Sequence, residues 1–204
     1  MEPLQLTYWI WDAWGASWIL AALWSSRAAV RAPAWSEAWR DALALGGGIV
    51  LVALSSPATI HEPGPLGELH AGLLAPLWRA WGIVDWALVA LTVAGFAFCW
   101  WARLHLGRLW SGLVGRKAEH RIVDTGPYAL VRHPIYTGLI GVVLAMAALK
   151  GTTAALLGAA AVVVSLWLKA RLEEGFLRSE LGAESYDAYR SRTPMLLPWL
   201  RRPS

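Results

Sequence analysis

Apolar residues run along this chain in five long blocks, at about residues 7–23, 42–60, 83–106, 135–149 and 152–170, and polar residues collect between them. A helix that crosses the ~30 Å hydrocarbon layer of a bilayer needs about 20 mostly apolar residues. Each block therefore predicts one spanning helix. The acids Asp12 and Asp85 fall near block ends, where hydration is cheap. Only Lys150-Gly151 separates the fourth and fifth blocks, which makes them an antiparallel pair with their other ends side by side. The fold class that follows is all-α, a polytopic membrane protein of about five transmembrane helices.

Past the fifth block the chain reads Lys169-Ala170-Arg171-Leu172-Glu173-Glu174-Gly175-Phe176-Leu177-Arg178. If the helix continues beyond the membrane surface, Arg171, Glu174 and Arg178 share a face at i, i+3 and i+7, and Glu173 pairs back to Lys169. Gly182, Tyr186, Tyr189, Pro194 and Pro198 then predict a helix stop, a short amphipathic helix and an extended tail laid on the membrane.

Composition agrees with this pattern and removes alternatives. Of 204 residues, 57% are hydrophobic and 16% charged, and fifteen are tryptophan. The mean hydropathy is +0.44. So few charges cannot cover a soluble globule of this size. The single cysteine, Cys99, excludes an intramolecular disulfide and a multi-cysteine metal site. The net charge of +4 raises the question of a nucleic-acid partner, and the placement of the charges answers it. Sixteen of the eighteen Lys and Arg residues fall in the last turn of the first, third and fifth blocks or in the segments after them; only Arg79 and Lys150 fall on the other side. By the positive-inside rule the amino terminus faces out and the carboxyl terminus faces the cytoplasm. The charge is a topology signal, and no nucleic-acid partner is expected. Trp9, Trp11, Trp78, Trp81 and Trp86 fall at the expected outer interface, and Trp24, Trp35, Trp39, Trp110 and Trp199 at the inner one, as in an aromatic belt. No basic leader precedes the first block, which reads as a retained helix. Residues 1–62 form a hairpin without evident chemistry, and residues 63–204 form the functional core with its carboxyl-terminal amphipathic tail.

Candidate chemistry concentrates on the inner side. No Gly-rich phosphate loop follows a strand, and Gly46-Gly47-Gly48 sits in an apolar block as a close-packing device. The outer segment from His61-Glu62-Pro63-Gly64 to Glu68-Leu69-His70 holds two histidines and two acids. Its Pro and Gly break the spacing a metal site needs, so it is expected to be a solvated loop with no metal. The inner stretch from Asp124 to Gly138 is different. Gly126-Pro127 marks a turn, Pro134 suits a first helical position, and Arg132 and His133 stand beside the free N–H groups of that helix start. Such a place attracts an anion. Taken alone it is equally an interfacial loop meeting lipid headgroups, and the Arg171–Arg178 stretch alone is equally a salt-bridged helix. The short Lys150-Gly151 link brings the two together as one polar pocket at the membrane surface.

Gly126-Pro127-Tyr128, followed by Arg132-His133-Pro134-Ile135-Tyr136-Thr137-Gly138, resembles the G-x-Y-x-x-x-R-H-P-x-Y-x-G signature of the isoprenylcysteine carboxyl methyltransferase family. The Arg171…Glu173-Glu174 stretch looks like that family's second motif, and Tyr186-x-x-Tyr189 with Pro194 and Pro198 is similar to its ending. The likeness covers about residues 85–200; Gly175-Phe176 departs from it where some relatives continue the acidic run. The resemblance implies an integral membrane enzyme that uses S-adenosylmethionine, with a cytoplasmic cofactor pocket and a lateral opening to lipid. It implies cofactor contacts from Tyr128, Arg132, His133, Tyr136 and Glu173, and catalytic roles for Arg171 and Glu174. The implied partners are membrane lipids and a lipophilic or lipid-anchored acceptor, first of all an isoprenylcysteine-type carboxylate, which Arg171 would orient. Phospholipid amines and thiols are alternatives, for which Glu174 is the nearest base. An NADPH-dependent sterol-type reductase and a non-enzymatic membrane carrier are the rival classes.

Overall fold

The computed structural model describes residues 1–22, 30–31, 35–51, 65–78, 82–107, 115–116 and 122–198. They form eight helices: α1 (Pro3–Ala22), α2 (Trp35–Ile49), α3 (Pro65–Leu74), α4 (Ile83–Leu106), α5 (Pro127–Leu130), α6 (Pro134–Lys150), α7 (Thr153–Leu181) and α8 (Ala183–Arg192). Two short strands, β1 (Val30–Arg31) and β2 (Gly115–Arg116), pair antiparallel and tie the segment after α1 to the segment after α4. The sequence pattern held no sign of this pairing, since two residues are too few to show a period.

Helix α4 coincides with the third apolar block, and α6 and α7 begin within a residue of the fourth and fifth. Helix α2 differs, starting seven residues before its block because the polar turn from Trp35 to Asp41 is itself helical. The segment 52–64, with His61 and Glu62, lies outside the described residues. Among the described residues two helices, α4 and α7, are long and apolar enough to cross a membrane; α6 is apolar but has 17 residues. At 1.5 Å per residue the 29 residues of α7 reach about 43 Å. That exceeds the ~30 Å hydrocarbon layer by about nine residues. The apolar run stops at Leu168, so Lys169 to Leu181 project beyond it.

Close packing fixes the relative directions of the helices. A Cβ on Gly138 would lie 2.6 Å from Cys99 Sγ and from the Gly95 carbonyl, so α4 and α6 cross backbone to backbone there. Cys99 in turn donates its thiol to the Ile135 carbonyl at 3.3 Å. Of the three consecutive glycines, Gly47 is the one in contact: it faces Gly158, and a Cβ on either would come within 2.8 Å of the other's carbonyl. Ser165 donates to the Arg40 carbonyl farther along the same seam, so α2 runs antiparallel to α7. Helix α1 runs parallel to α4, with Trp14 against Phe96 and Trp18 against Trp100. The buried core of Leu51, Val143, Met146, Ala147, Ala155 and Ala159 lies between α2, α6 and α7. Large apolar side chains stay exposed on the periphery, among them Trp9, Ile19, Leu20, Leu91, Val93 and Trp101. An apolar surface of that extent suits lipid.

At the far end from the site, Thr152 accepts from Ala155 N–H as the cap of α7, and Trp78 donates to the Ala148 carbonyl at the end of α6. The α6–α7 turn is thereby fixed, and with it the juxtaposition of Pro134 and the second half of α7.

Candidate active site

The start of α6 and the projecting part of α7 meet as their short connection requires. Pro134 begins α6 after His133 as its cap residue, and the sequence between Gly126 and Val131 makes the single turn of α5. Gly126 has φ +57°, and a Cβ there would strike the His105 ring at 2.7 Å. That turn delivers Arg132 and His133 to the face of α7 that carries Glu173 and Glu174.

The side chains form a chain of charges. Arg132 places Nε and Nη2 each 2.7 Å from Glu174 Oε1. His133 lies between the two acids, with Nδ1 3.4 Å from Glu173 Oε2 and Nε2 3.4 Å from Glu174 Oε1. The Nε2 contact is not aligned as a hydrogen bond, and this buried nitrogen has no hydrogen-bond partner. Tyr136, one turn into α6, stacks its ring on His133 with centroids 5.5 Å apart and planes 2° from parallel. Its hydroxyl donates to Glu173 Oε1 at 2.6 Å. His133 and Glu174 are buried, whereas the Glu173 side chain keeps 21% of its surface. Glu173 is thus the acid that faces outward.

These groups all lie beyond the apolar stretch, and their protonation follows from their pairing. Burial alone would push the Glu174 carboxyl up, but His133 and Arg132 outweigh it and bring it from 4.5 to about 2. Glu173 is also lowered, burial being overcome by His133, Tyr136 and Lys169. Burial opposes a charged His133, and the two acids that flank it reverse that and hold it above 6.5. The pairing therefore favours the charged form of both acids and of the imidazole between them.

The tail closes one side of this cluster. Helix α8 presents Tyr186 and Tyr189, both buried, and the Tyr189 hydroxyl donates to the Tyr128 carbonyl at 2.7 Å. Residues after Arg192 run extended across the start of α6. Arg132 N–H donates to the Pro194 carbonyl at 2.9 Å and His133 N–H to the Met195 carbonyl at 3.1 Å. Thr137 Oγ1 donates to the Leu196 carbonyl at 2.7 Å. Outside the cluster, Arg178 makes a two-pronged pair with Asp187 at 2.8 to 3.1 Å and Arg192 pairs with Asp124.

The structure therefore gathers Arg132, His133, Tyr136, Glu173 and Glu174, with Tyr128 buried behind them and stacked near His105. It does not bring Arg171 in. That residue is exposed, with its guanidinium carbon 5.5 Å from the Trp167 ring centre one turn back on α7. Arg178 is likewise held by α8 rather than beside Glu174. The backbone N–H groups of Arg132 and His133 are taken by the tail, because that is where the extended segment finds its hydrogen-bond partners. Thr137, Met195 and Leu196 were not singled out in the sequence. Their contacts are backbone-mediated across about 60 residues, which no spacing rule reveals.

The sequence profile described as the isoprenylcysteine carboxyl methyltransferase family matches residues 88–179, which hold every residue of the cluster. Among curated proteins, the chain is 32% identical over 142 residues to methanethiol S-methyltransferase 1 of Bradyrhizobium diazoefficiens, covering 61% of this chain and 49% of that protein. It is 33% identical over 118 residues to the nickel-cobalt-cadmium resistance protein NccN of Alcaligenes xylosoxydans xylosoxydans, covering 56% of this chain and 53% of that one. The chain thus spans about half the length of the curated relatives it matches. Through residues 88–179 the chain is thus similar to the isoprenylcysteine carboxyl methyltransferase family, whose methyltransferases use S-adenosylmethionine.

Proposed function

We propose that this protein is a membrane-embedded methyltransferase that moves the methyl group of S-adenosylmethionine to a lipophilic thiol. The observation that carries the reading is the Glu173–His133–Glu174 array beside Tyr136, within the family-matched segment. The donor set fits the cofactor: the outward carboxylate of Glu173 suits an ammonium or ribose hydroxyls, and the ring of Tyr136 suits adenine or a sulfonium. S-Adenosylmethionine supplies an activated methyl on a cationic sulfur. The chain's own residues bind, orient and exclude water, which is most of what an in-line displacement needs. His133 and Arg132 balance the two acids, so that the pocket keeps its shape when its ligand leaves.

The acceptor class follows from what the cluster lacks. A carboxylate acceptor calls for a guanidinium fork facing the site; Arg171, expected to supply it, is turned to Trp167, and Arg132 is held by Glu174. The methanethiol S-methyltransferase relative is named for a thiol acceptor. Glu174, at about pKa 2, is too weak a base to take the thiol proton. The thiol proton then goes to solvent, the thiolate fraction sets the rate, and turnover rises with pH while the acceptor thiol is mostly protonated.

Within this reading α1, α2, α4, α6 and α7 are the five spans, with the amino terminus outside and the carboxyl terminus and site cytoplasmic. The hairpin of residues 1–62 flanks the core of residues 63–204, and the acceptor enters from lipid. The test is transfer from methyl-labelled S-adenosylmethionine, using purified protein in bilayers and an alkyl thiol, a prenylcysteine carboxylate and phosphatidylethanolamine. Label in the thioether supports the proposal. Label confined to the methyl ester or the amine replaces the thiol with that acceptor, and no label in any product removes the methyltransferase reading.

A further inference from the structure

Arg132 is the most heavily bonded side chain of the cluster, and nothing in its geometry leaves it facing a ligand. Two of its nitrogens grip one oxygen of Glu174. The third, Nη1, donates to the Arg190 carbonyl at 3.1 Å and to the Thr193 carbonyl. Its own N–H takes the Pro194 carbonyl. The side chain is 7% exposed. Arg190 lies in the last turn of α8, whose final carbonyls have no partner within the helix. A guanidinium there satisfies them and meets the negative end of the helix. One residue at the entrance of α6 thus joins α7, the end of α8 and the strap formed by residues 193–196.

We infer that Arg132 is a positioning residue that latches the carboxyl-terminal strap over the site and holds Glu174, rather than the ligand of the cofactor's carboxylate. The inference rests on the S-adenosylmethionine reading for its binding test, and on the strap geometry alone for its second test. Latching explains why the strap lies where it does: the Arg132 fork fixes its start, the Met195 carbonyl holds it to His133, and Thr137 fixes the Leu196 carbonyl. It also gives the substitution pattern. Lysine keeps the charge and reaches one acceptor at a time, so it cannot bridge Glu174 and two carbonyls together.

Two measurements decide it, on purified full-length protein in detergent with Arg132→Ala, Arg132→Lys, Glu174→Gln and the double variant R132A/E174Q. The first is equilibrium binding of S-adenosylmethionine and of its decarboxylated analogue, which keeps the sulfonium, amine and adenosine. A latch predicts that Arg132→Ala weakens both ligands by the same factor, about tenfold or more, with partial recovery in Arg132→Lys. The double variant should bind no more weakly than Glu174→Gln alone, because the two residues act as one unit. A loss confined to the carboxylate-bearing ligand, or no loss, overturns the inference. Failure of the wild type to bind either ligand removes the cofactor reading instead.

The second measurement is limited trypsin digestion without ligand. Cleavage after Arg190 and Arg192 should be slow in the wild type and faster in Arg132→Ala, relative to other sites; equal rates overturn the latch. If Arg132→Ala does not fold, Arg132→Lys gives the same two readouts with a smaller change in each.

Discussion

The charged cluster at the α6–α7 ends and the aromatic seam between α1 and α4 are two solutions to holding helices together. In the seam Trp14 stacks between Phe96 and Trp18, with centroids at 4.5 and 4.9 Å. Trp11 meets Phe96 edge-on at 5.3 Å, Trp18 meets Trp100 at 5.4 Å, and the Arg103 guanidinium lies 4.4 Å from the centre of the Trp18 ring. Each contact there is a matter of shape, and a neighbour can compensate for a lost ring. In the cluster each contact has a direction and a charge, and removal of one partner leaves another buried and unbalanced. Lipid-facing packing accepts variation, and the site does not. That difference separates stability, at the α1–α4 seam, from function, at the α6–α7 ends.

Substitutions at the cluster should break this comparison first if it is wrong. Glu174→Gln removes the partner of both Arg132 and His133, and should lower turnover about 100-fold or more, the scale of a broken buried charge pair. Methyl transfer and cofactor binding measured on the same preparation check it. Tyr136→Phe deletes one charge-assisted hydrogen bond to Glu173 and leaves the ring on His133. It should weaken cofactor binding about tenfold, read by titration calorimetry.

The seam should answer in stability alone. Trp14→Ala should cost about 1–2 kcal/mol, because helices in lipid gain packing but little hydrophobic drive from each other. It should lower the thermal midpoint in detergent and change cofactor affinity less than about twofold. An affinity loss comparable to that of Tyr136→Phe would erase the distinction between the regions.

Acid and base limbs sharpen it further. Glu174 is lowered from 4.5 to about 2, so its contribution to stability is present above pH 4.5 and drains as pH falls from there towards 2. His133 is raised above 6.5, so its contribution is full below pH 6.5 and is lost as pH rises through its folded value. Thermal midpoints across pH should fall on both sides of that window. Glu174→Gln should flatten the acid side, whereas Trp14→Ala should shift the whole curve without changing its shape. The smallest effect belongs to Arg171→Ala. An exposed guanidinium over Trp167 should change binding and turnover less than about twofold. A loss near that of Glu174→Gln would return Arg171 to the site and favour the carboxylate acceptor.

Sequence alone exposed much of this arrangement, and physical reasons separate what it exposed from what it hid. Apolar blocks located α4, α6 and α7 because composition determines burial in lipid. The two-residue link at Lys150-Gly151 implied the meeting of Arg132 and His133 with Glu173 and Glu174. Helical spacing set Glu174 apart from Glu173 in direction, and the structure makes that the difference between a buried acid and an outward one. Spacing also grouped Arg171 and Arg178 with Glu174, and there it failed. Each arginine is long enough to choose a nearer partner, Trp167 on its own helix or Asp187 on α8. The strap was beyond reach for another reason. Its bonds to Arg132 and His133 use backbone carbonyls, which carry no side-chain signature.

The central claim is that the Glu173–His133–Glu174 array is a cofactor pocket, and direct titration of the purified protein tests it. S-Adenosylmethionine and S-adenosylhomocysteine should each bind saturably at one site, NADPH should not bind, and Glu174→Gln should weaken binding about 100-fold while the protein remains folded. Binding of NADPH in their place, or S-adenosylmethionine affinity unchanged in both Glu174→Gln and Tyr136→Phe, would contradict the account.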